Sequence, residues 1–342
     1  MQKIQKHIEI VRSTTLALSS LSQESCDAIF AVLSRNFADV GVSIVNDVFD
    51  LEQLVSKQPD LAFMGLKYLP GKTSPIWISD YLEKHGIAHT GSGQPAIEFE
   101  LNKPLAKQQV QDAGIQTAAF VVVKVGQILA GKGFKLRFPV FVKPANLGGG
   151  QGINANSVVH NFKDLGHQIK SVMSECGTDV LVEEYLPGRE FSVAILANEQ
   201  SEELLCMPIE LVAPSNSKGE RILSEKVKTS DEEIVLAVNN LQTRAAITDC
   251  AALVFKALGA DDYGRIDIRL DAVGMPHFLE ANLIPSLIDG YGNFPKACAL
   301  NIGMSYEAMI LRIVRLGLGR SSPAEDSDTE PDLAVLLSAA SI

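Results

Sequence analysis

Over residues 1–90, short apolar runs alternate with stretches whose apolar positions recur every three or four residues. Segments 8–11 (IEIV), 42–48 (VSIVNDV) and 60–66 (DLAFMGL) read as strands, while 23–37, 51–57 and 76–85 carry helical spacing. Strands alternating with helices at this spacing imply βαβ units and a parallel sheet, hence an α/β fold.

The pattern changes after residue 90. Region 91–181 opens near TGSG (90–93), continues through a helix over 102–113, and reaches a strand at FPVFVKP (138–144). The loop NLGGGQG (146–152) follows it. Region 182–319 holds several strands of period two and a helix over 231–258. Residues 320–342 read as a tail: 320–332 is rich in Ser, Pro, Asp and Glu and should be flexible, and LAVLL (333–337) beyond it is apolar. There is no internal repeat.

Composition narrows the partners. A formal charge of −11 argues against nucleic acid or an anionic membrane as a partner of the whole chain, yet leaves room for a local basic pocket. Cys26, Cys176, Cys206, Cys250 and Cys298 are scattered without a CxxC pair, as expected of reduced thiols. The opening MQKIQKHIEIV has no secretory apolar stretch, and no run approaches the roughly 18 apolar residues needed to span a bilayer. Cytoplasm is the expected compartment.

Three stretches carry candidate chemistry. In YGRIDIRLDAVGMPHFLEAN (263–282), alternation places Arg265, Asp267 and Arg269 on one strand face and Ile266, Ile268 and Leu270 on the other. A turn at 272–275 with Gly274 reverses the chain, and Phe278, Glu280 and Asn282 are expected to share a face of the returning strand. If the charged faces coincide, Asp267, Glu280 and Asn282 make a set of hard oxygen ligands suited to magnesium, beside Arg265. A solvated hairpin face with ordinary cross-strand ion pairs fits the same alternation. The loop Gly148, Gly149, Gly150 and Gly152, with Lys143 just before it, suits phosphate oxygens but is neither a Walker A loop nor a GxGxxG turn; alone, it equally fits a glycine hairpin. In VLVEEYLPGREFSVAIL (180–196), Glu183, Glu184 and Glu190 flank a Pro187-Gly188 turn, where carboxylates suit an adenine amino group and ribose hydroxyls or lie simply at the surface.

Taken together and in this order, these stretches resemble the ATP-grasp superfamily, in particular its D-alanine–D-alanine ligase branch, over about residues 87–314. The most specific parts are GIAHTGSGQPAIEFELNK, FPVFVKPANLGGGQGI, VLVEEYLPGREFSVAIL and GRIDIRLDAVGMPHFLEANLIPS. The resemblance implies three α/β subdomains and an ATP-dependent, ADP-forming ligase that joins a small-molecule carboxylate to an amine through an acyl phosphate. It implies that Lys103 and Lys143 contact ATP, that Gly149 and Gly150 lie in a flap over the phosphates, and that Glu183, Glu184, Leu186 and Glu190 meet adenine and ribose. Asp267, Glu280 and Asn282 then hold two Mg²⁺ ions, with Mn²⁺ an alternative. Arg265 stabilises charge on the acyl phosphate and tetrahedral intermediate, and Lys226 sits near the transferred phosphate. The family also implies a homodimer.

The chain departs from the ligase pattern at the amino-acid pockets. No glutamate stands in the loop after the first strand, where Ser13, Thr14 and Thr15 offer hydroxyls to a substrate or to a helix cap. Gly149 and Gly150 replace the flap serines, Val227 replaces a tyrosine, and Pro285-Ser286 replaces proline-glycine. IDGYGNFP (288–295) takes the place of the serine-leucine that binds the second alanine, with Tyr291 and Asn293 candidates for an altered pocket; Ser286 joins Arg265 and Lys226 as a candidate catalytic residue. The expected substrate is an amino acid or related small acid other than a pair of D-alanines. The alternatives are a D-alanine–D-alanine ligase of cell-wall synthesis and a non-catalytic nucleotide-binding module.

Overall fold

The computed structural model describes residues 2–320 apart from 16, 17, 130, 132 and 200. The expected tail, including LAVLL, lies outside the described residues from 321 onward.

The first unit follows strand–helix alternation: β1 (Ile4–Arg12), α1 (Gln23–Asn36), β2 (Phe37–Ile44), α2 (Val48–Ser56), β3 (Leu61–Met64), β4 (Tyr68–Leu69), β5 (Ile76–Trp77), α3 (Ile78–Lys84) and β6 (Ala88–His89). Its main sheet runs β2-β1-β3-β6, all parallel, and β4 pairs with β5 as a small antiparallel ribbon. The sheet forms because Ile8, Ile10, Leu61 and Phe63 are fully buried. The second strand ends at residue 44 rather than 48, because the Asp47 side chain accepts from Asp50 N and starts α2. Residues 76 and 77, expected to open a helix, instead form β5.

Next come α4 (Gln94–Leu101) and α5 (Lys103–Asp112), separated by Asn102, whose side chain caps α5 by accepting from Leu105 N at 3.1 Å. The middle sheet comprises β7 (Phe120–Val123), β8 (Val140–Pro144), β9 (Val158–Val159) and β10 (Val180–Glu184), in the antiparallel order β7-β10-β8-β9. Between β9 and β10, α6 (Phe162–Cys176) ends at Gly177, whose φ of +63° suits a residue without a side chain. A separate small core lies here, with Val142, Leu165, Val172 and Val182 buried. The change of sheet falls after Glu184, because β10 stays paired with β7 and β8 along its length.

The third sheet is antiparallel, in the order β13-β12-β11-β14-β15. Its strands are β11 (Glu190–Ala197), β12 (Leu204–Val212), β13 (Ile234–Ala237), β14 (Tyr263–Leu270) and β15 (Pro276–Asn282). Among them stand α7 (Glu225–Thr229) and α8 (Leu241–Ala257), and after them α9 (Asn293–Ile302) and α10 (Tyr306–Arg320). The helix expected over 231–258 is thus a strand followed by a helix. Residues 234–237 pair with 209–212 at the sheet edge, and the Asn240 side chain, accepting from Thr243 N at 2.8 Å, sets the start of α8. Helices α4 and α5 pack with α8 and β15 rather than with the middle sheet, and Ala106 and Val110 join the core of Val254 and Ile266. Among the described residues, no single helix is long and apolar enough to cross a membrane.

Candidate active site

A cleft of about 490 Å³ lies between the middle and third sheets, closed at one end by the first unit. Its polar wall is the β14–β15 hairpin. Arg265 pairs in register with Asn282, and Asp267 with Glu280. All four line the cleft, as does Arg269. The apolar alternates Ile266 and Ile268 are fully buried on the other face. One expectation fails here: Phe278 does not share the face of Glu280. The register shifts between Asp267 and Ile268, so Ile268 faces Phe278 and the extra residue, Leu279, turns toward the cleft. A bulge of this kind resets the two-residue period, leaving Phe278 fully buried in the core.

The hairpin face is cross-linked. Arg265 donates Nε and one terminal nitrogen to the two oxygens of Asp267, both at 3.1 Å. Ser192, opposite on β11, donates to Asp267 Oδ1 at 2.6 Å, and the Asn282 amide to Oδ2 at 3.2 Å. Glu280 Oε2 lies 3.4 Å from Lys103 Nζ. Burial opposes charge on Glu280, but Lys103, Lys228, Lys143 and Arg265 outweigh it and hold its pKa at about 2. The carboxylate is therefore ionised at neutral pH. Among the described residues, no group of three or more His, Cys, Asp or Glu could hold a metal. The donor set on offer is two carboxylates on adjacent strands and a carboxamide, which fits an ion such as Mg²⁺ that completes its shell with water and phosphate oxygens.

The opposite wall rests on a buried charge network. Glu183 Oε1 lies 2.6 Å from Lys143 Nζ, and Oε2 lies 2.9 Å from Lys107 Nζ. Lys107 is fully buried and also donates to Thr117 Oγ1 at 2.7 Å. Burial opposes ionisation of Glu183, but Lys107 and Lys143 prevail and lower its pKa to about 2. Burial likewise opposes charge on Lys143, which Glu183 and Glu280 nevertheless keep above its ordinary pKa. For Lys107 burial wins, and its pKa falls. Glu183 is thus held by two lysines, and it also lines the cleft where a nucleotide contact was expected of it. Lys107, unassigned in the sequence, sits four residues after Lys103 on the inner face of α5; that spacing was its only signal.

The apolar end of the cleft is lined by Phe141, Tyr185, Leu186, Leu211, Ile222 and Leu223. Glu184 lines it too, while pairing with Arg137 at 3.0 Å. Glu190 accepts from Arg269 at 2.8 Å, and Arg269 also donates to Tyr185 Oη at 3.0 Å. Burial raises the pKa of Glu190 in spite of Arg269.

Of the glycine loop, Gly148 and Gly149 line the cleft. Gly150 instead touches α7, where an added Cβ would lie 3.0 Å from Glu225 N. Lys103 is likewise absent from the lining, its ammonium donating to Leu147 O at 2.5 Å at the root of the loop. The expectation for Lys226 is corrected: its side chain is exposed and off the cleft, whereas Lys228 lines it. Two residues on a helix are about 200° apart, so only one of the pair can face inward. Ser286, Tyr291 and Asn293 line the end near α7, and the Tyr291 hydroxyl donates to Lys228 O at 2.5 Å.

The first unit contributes Ser19, Ser20 and Lys67, with Glu100 of α4 beside them. Ser13 and Thr14 do not take part: both hydroxyls donate to Asn46 Oδ1, and Ser22 rather than they caps α1. Lys67 donates to Glu100 Oε1 at 2.7 Å, a pairing across 33 residues that no local pattern announces.

Comparison with known proteins agrees with this geometry. Residues 109–315 match the family described as D-ala D-ala ligase C-terminus. The chain is also 32% identical, over 280 residues, to the D-alanine–D-alanine ligase of Bordetella petrii, covering 81% of this chain and 82% of that one. The chain belongs to the D-alanine–D-alanine ligase family. Its fold is that of the Bacillus anthracis D-alanine–D-alanine ligase solved with ATP, at a TM-score of 0.73, 20% identity, and coverage of 93% and 99% of the two chains. The VanG D-Ala:D-Ser ligase of Enterococcus faecalis matches at a TM-score of 0.67 and 20% identity, covering 92% and 99%. As a member of the D-alanine–D-alanine ligase family, the chain is an ATP-dependent, ADP-forming enzyme that makes carbon–nitrogen bonds.

Proposed function

We propose that this enzyme activates an amino acid or related small acid as its acyl phosphate and passes the acyl group to an amine, with a substrate pair other than two D-alanines. One observation carries this: Arg265, Asp267, Glu280 and Asn282 converge on the wall facing Lys143 and the glycine loop, with an apolar slot at one end. The slot, ending at Glu190, suits adenine and ribose. Lys143, Lys228 and the N–H groups near Gly149 suit the phosphates. Asp267, Glu280 and Asn282 would hold Mg²⁺, which when bound offsets charge on the phosphate oxygens.

The substrate carboxylate attacks the γ-phosphorus, and the bond to the β-phosphate oxygen breaks, releasing ADP. An amine then attacks the acyl carbon, and the carbon–oxygen bond to phosphate breaks. Negative charge grows on oxygen in both steps. Arg265, held by two hydrogen bonds to Asp267, meets that charge without having to reorganise. No side chain need become covalently attached.

The departure in substrate rests on Ser286, Tyr291 and Asn293 lining the acceptor end. The relatives favour a second reading, a D-alanine–D-alanine ligase proper. Release of ADP with D-alanine alone, and D-Ala-D-Ala as product by mass, would establish the second and refute the first. The shared mechanism is tested by Arg265→Ala. Its kcat should fall about 10²- to 10³-fold while ATP affinity stays within a few-fold, and full turnover in that variant would remove the assignment.

A further inference from the structure

The end of the cleft beside α7 holds a carboxylate without a cation. Glu233 lines the cleft and is partly buried, and its Oε2 is shielded from solvent yet has no hydrogen-bond partner. The chain fixes it there from both sides. Glu232 N donates to Val227 O at 3.0 Å, folding the segment back on α7, and Ile234 pairs with Val212 to open β13. Tyr291 stands near: burial raises the pKa of its hydroxyl, and the negative charge of Glu233 adds to that rise. The two lysines of this region are committed elsewhere. Lys228 lends its positive charge to Glu190 and Glu280, and Lys296 lies 3.7 Å from Asp231. A shielded carboxylate oxygen is expensive to leave without a bond, and its strongest partner is a cationic donor.

We infer that the acceptor is a diamine, one nitrogen of which attacks the acyl phosphate while the other, protonated, is held by Glu233. The attacking nitrogen bonds to the acyl carbon, the carbon–oxygen bond to phosphate breaks, and the nitrogen's proton leaves with the phosphate. An acceptor bearing a carboxylate would meet Glu233 as a like charge, which works against its binding. The loss of the serine-leucine that binds the second alanine in the family agrees with this, since the residues standing in its place, Tyr291 and Asn293, line the same end of the cleft. The inference rests on the ligase reading above and specifies its second substrate.

The test first fixes the acid with hydroxylamine, an acceptor too small to need the pocket beside Glu233. Its nitrogen attacks the acyl phosphate, phosphate leaves, and a hydroxamate is measured together with ADP over a panel of amino acids and des-amino acids. The full-length chain with the best acid is then given α,ω-diamines, n-alkylamines of matching length, and D-alanine. The wild type should favour diamines over monoamines in kcat/KM at least about tenfold, as a charge-assisted hydrogen bond implies. In Glu233→Gln that ratio should fall about tenfold or more, and in Glu233→Lys it should invert. Each variant's rates are divided by its own rate of hydroxamate formation, so that poor folding is not mistaken for lost selectivity. Equal use of monoamines by the wild type, a preference for D-alanine, or an unchanged ratio in Glu233→Gln overturns the inference and leaves the acyl-phosphate chemistry intact. Hydroxamate without product from any amine does the same. No hydroxamate from any acid overturns both.

Discussion

Glu183→Gln removes the carboxylate that pairs directly with two buried lysines. Lys107 is fully buried and Lys143 is 5% exposed, so the variant leaves both ammonium groups without the carboxylate that pairs with them directly. Two routes give the magnitude. Breaking one side of a buried ion pair costs about 3–5 kcal/mol. Independently, a carboxyl pKa lowered from 4.5 to about 2 corresponds to about 3 kcal/mol. The lower end is expected, because Lys107, already inclined to lose its proton, can relax by doing so. At roughly 2 °C for each kcal/mol in a chain of this size, the melting temperature should drop by about 6–8 °C at pH 7. The sign with pH follows from the direction of the shift. A depressed folded-state pKa stabilises above the unfolded value of about 4.5, and that stability is lost as pH falls toward about 2. The gap between wild type and variant should therefore shrink on acidification, to less than half at about pH 3. Calorimetric melts of both proteins at pH 7 and pH 3 measure it. A gap below about 1 kcal/mol at pH 7, or one indifferent to pH, would show that Glu183 does not hold the lysines as described.

Other substitutions probe the cleft. Lys228→Met should lower the rate of ADP release about tenfold or more, while Lys226→Met stays within about twofold, since only the first side chain lines the cleft; equal losses would restore the expectation for Lys226. Gly150→Ala should raise KM for ATP more than Gly149→Ala. Both need positive φ, at a strain of about 1–2 kcal/mol, but only the Cβ at 150 would also press on Glu225 N at 3.0 Å. Steady-state kinetics with varied ATP decide between them, and a larger effect at 149 would mean the loop does not close on α7.

Much of this molecule follows from local pattern. Period-two alternation was enough to put Arg265, Asp267 and Arg269 on one face of β14, because a strand's side chains point to opposite sides whatever it packs against. The parallel first sheet followed from strand–helix alternation for the same reason. Ser192 went unread: it stands two residues after Glu190 on the same face of β11, but nothing in the sequence marked Asp267 as its partner.

Where local pattern failed, the deciding force came from elsewhere in the chain. Alternation cannot foresee a bulge: it predicts Phe278 on the polar face, whereas core packing turns it inward and Leu279 out. Segment 234–237 is apolar enough for either helix or strand, and the open edge of β12 chose strand. Lys228 replaced Lys226 because the orientation of a single helical turn is set by what it docks on. Glu100 meets Lys67, and Glu183 meets Lys107, across dozens of residues of chain. Periodicity determines which side chains share a face, since that depends on backbone geometry alone. Which faces meet, and which charges are left to share a dry cleft, depends on contacts distant in sequence, and only the folded chain decides them.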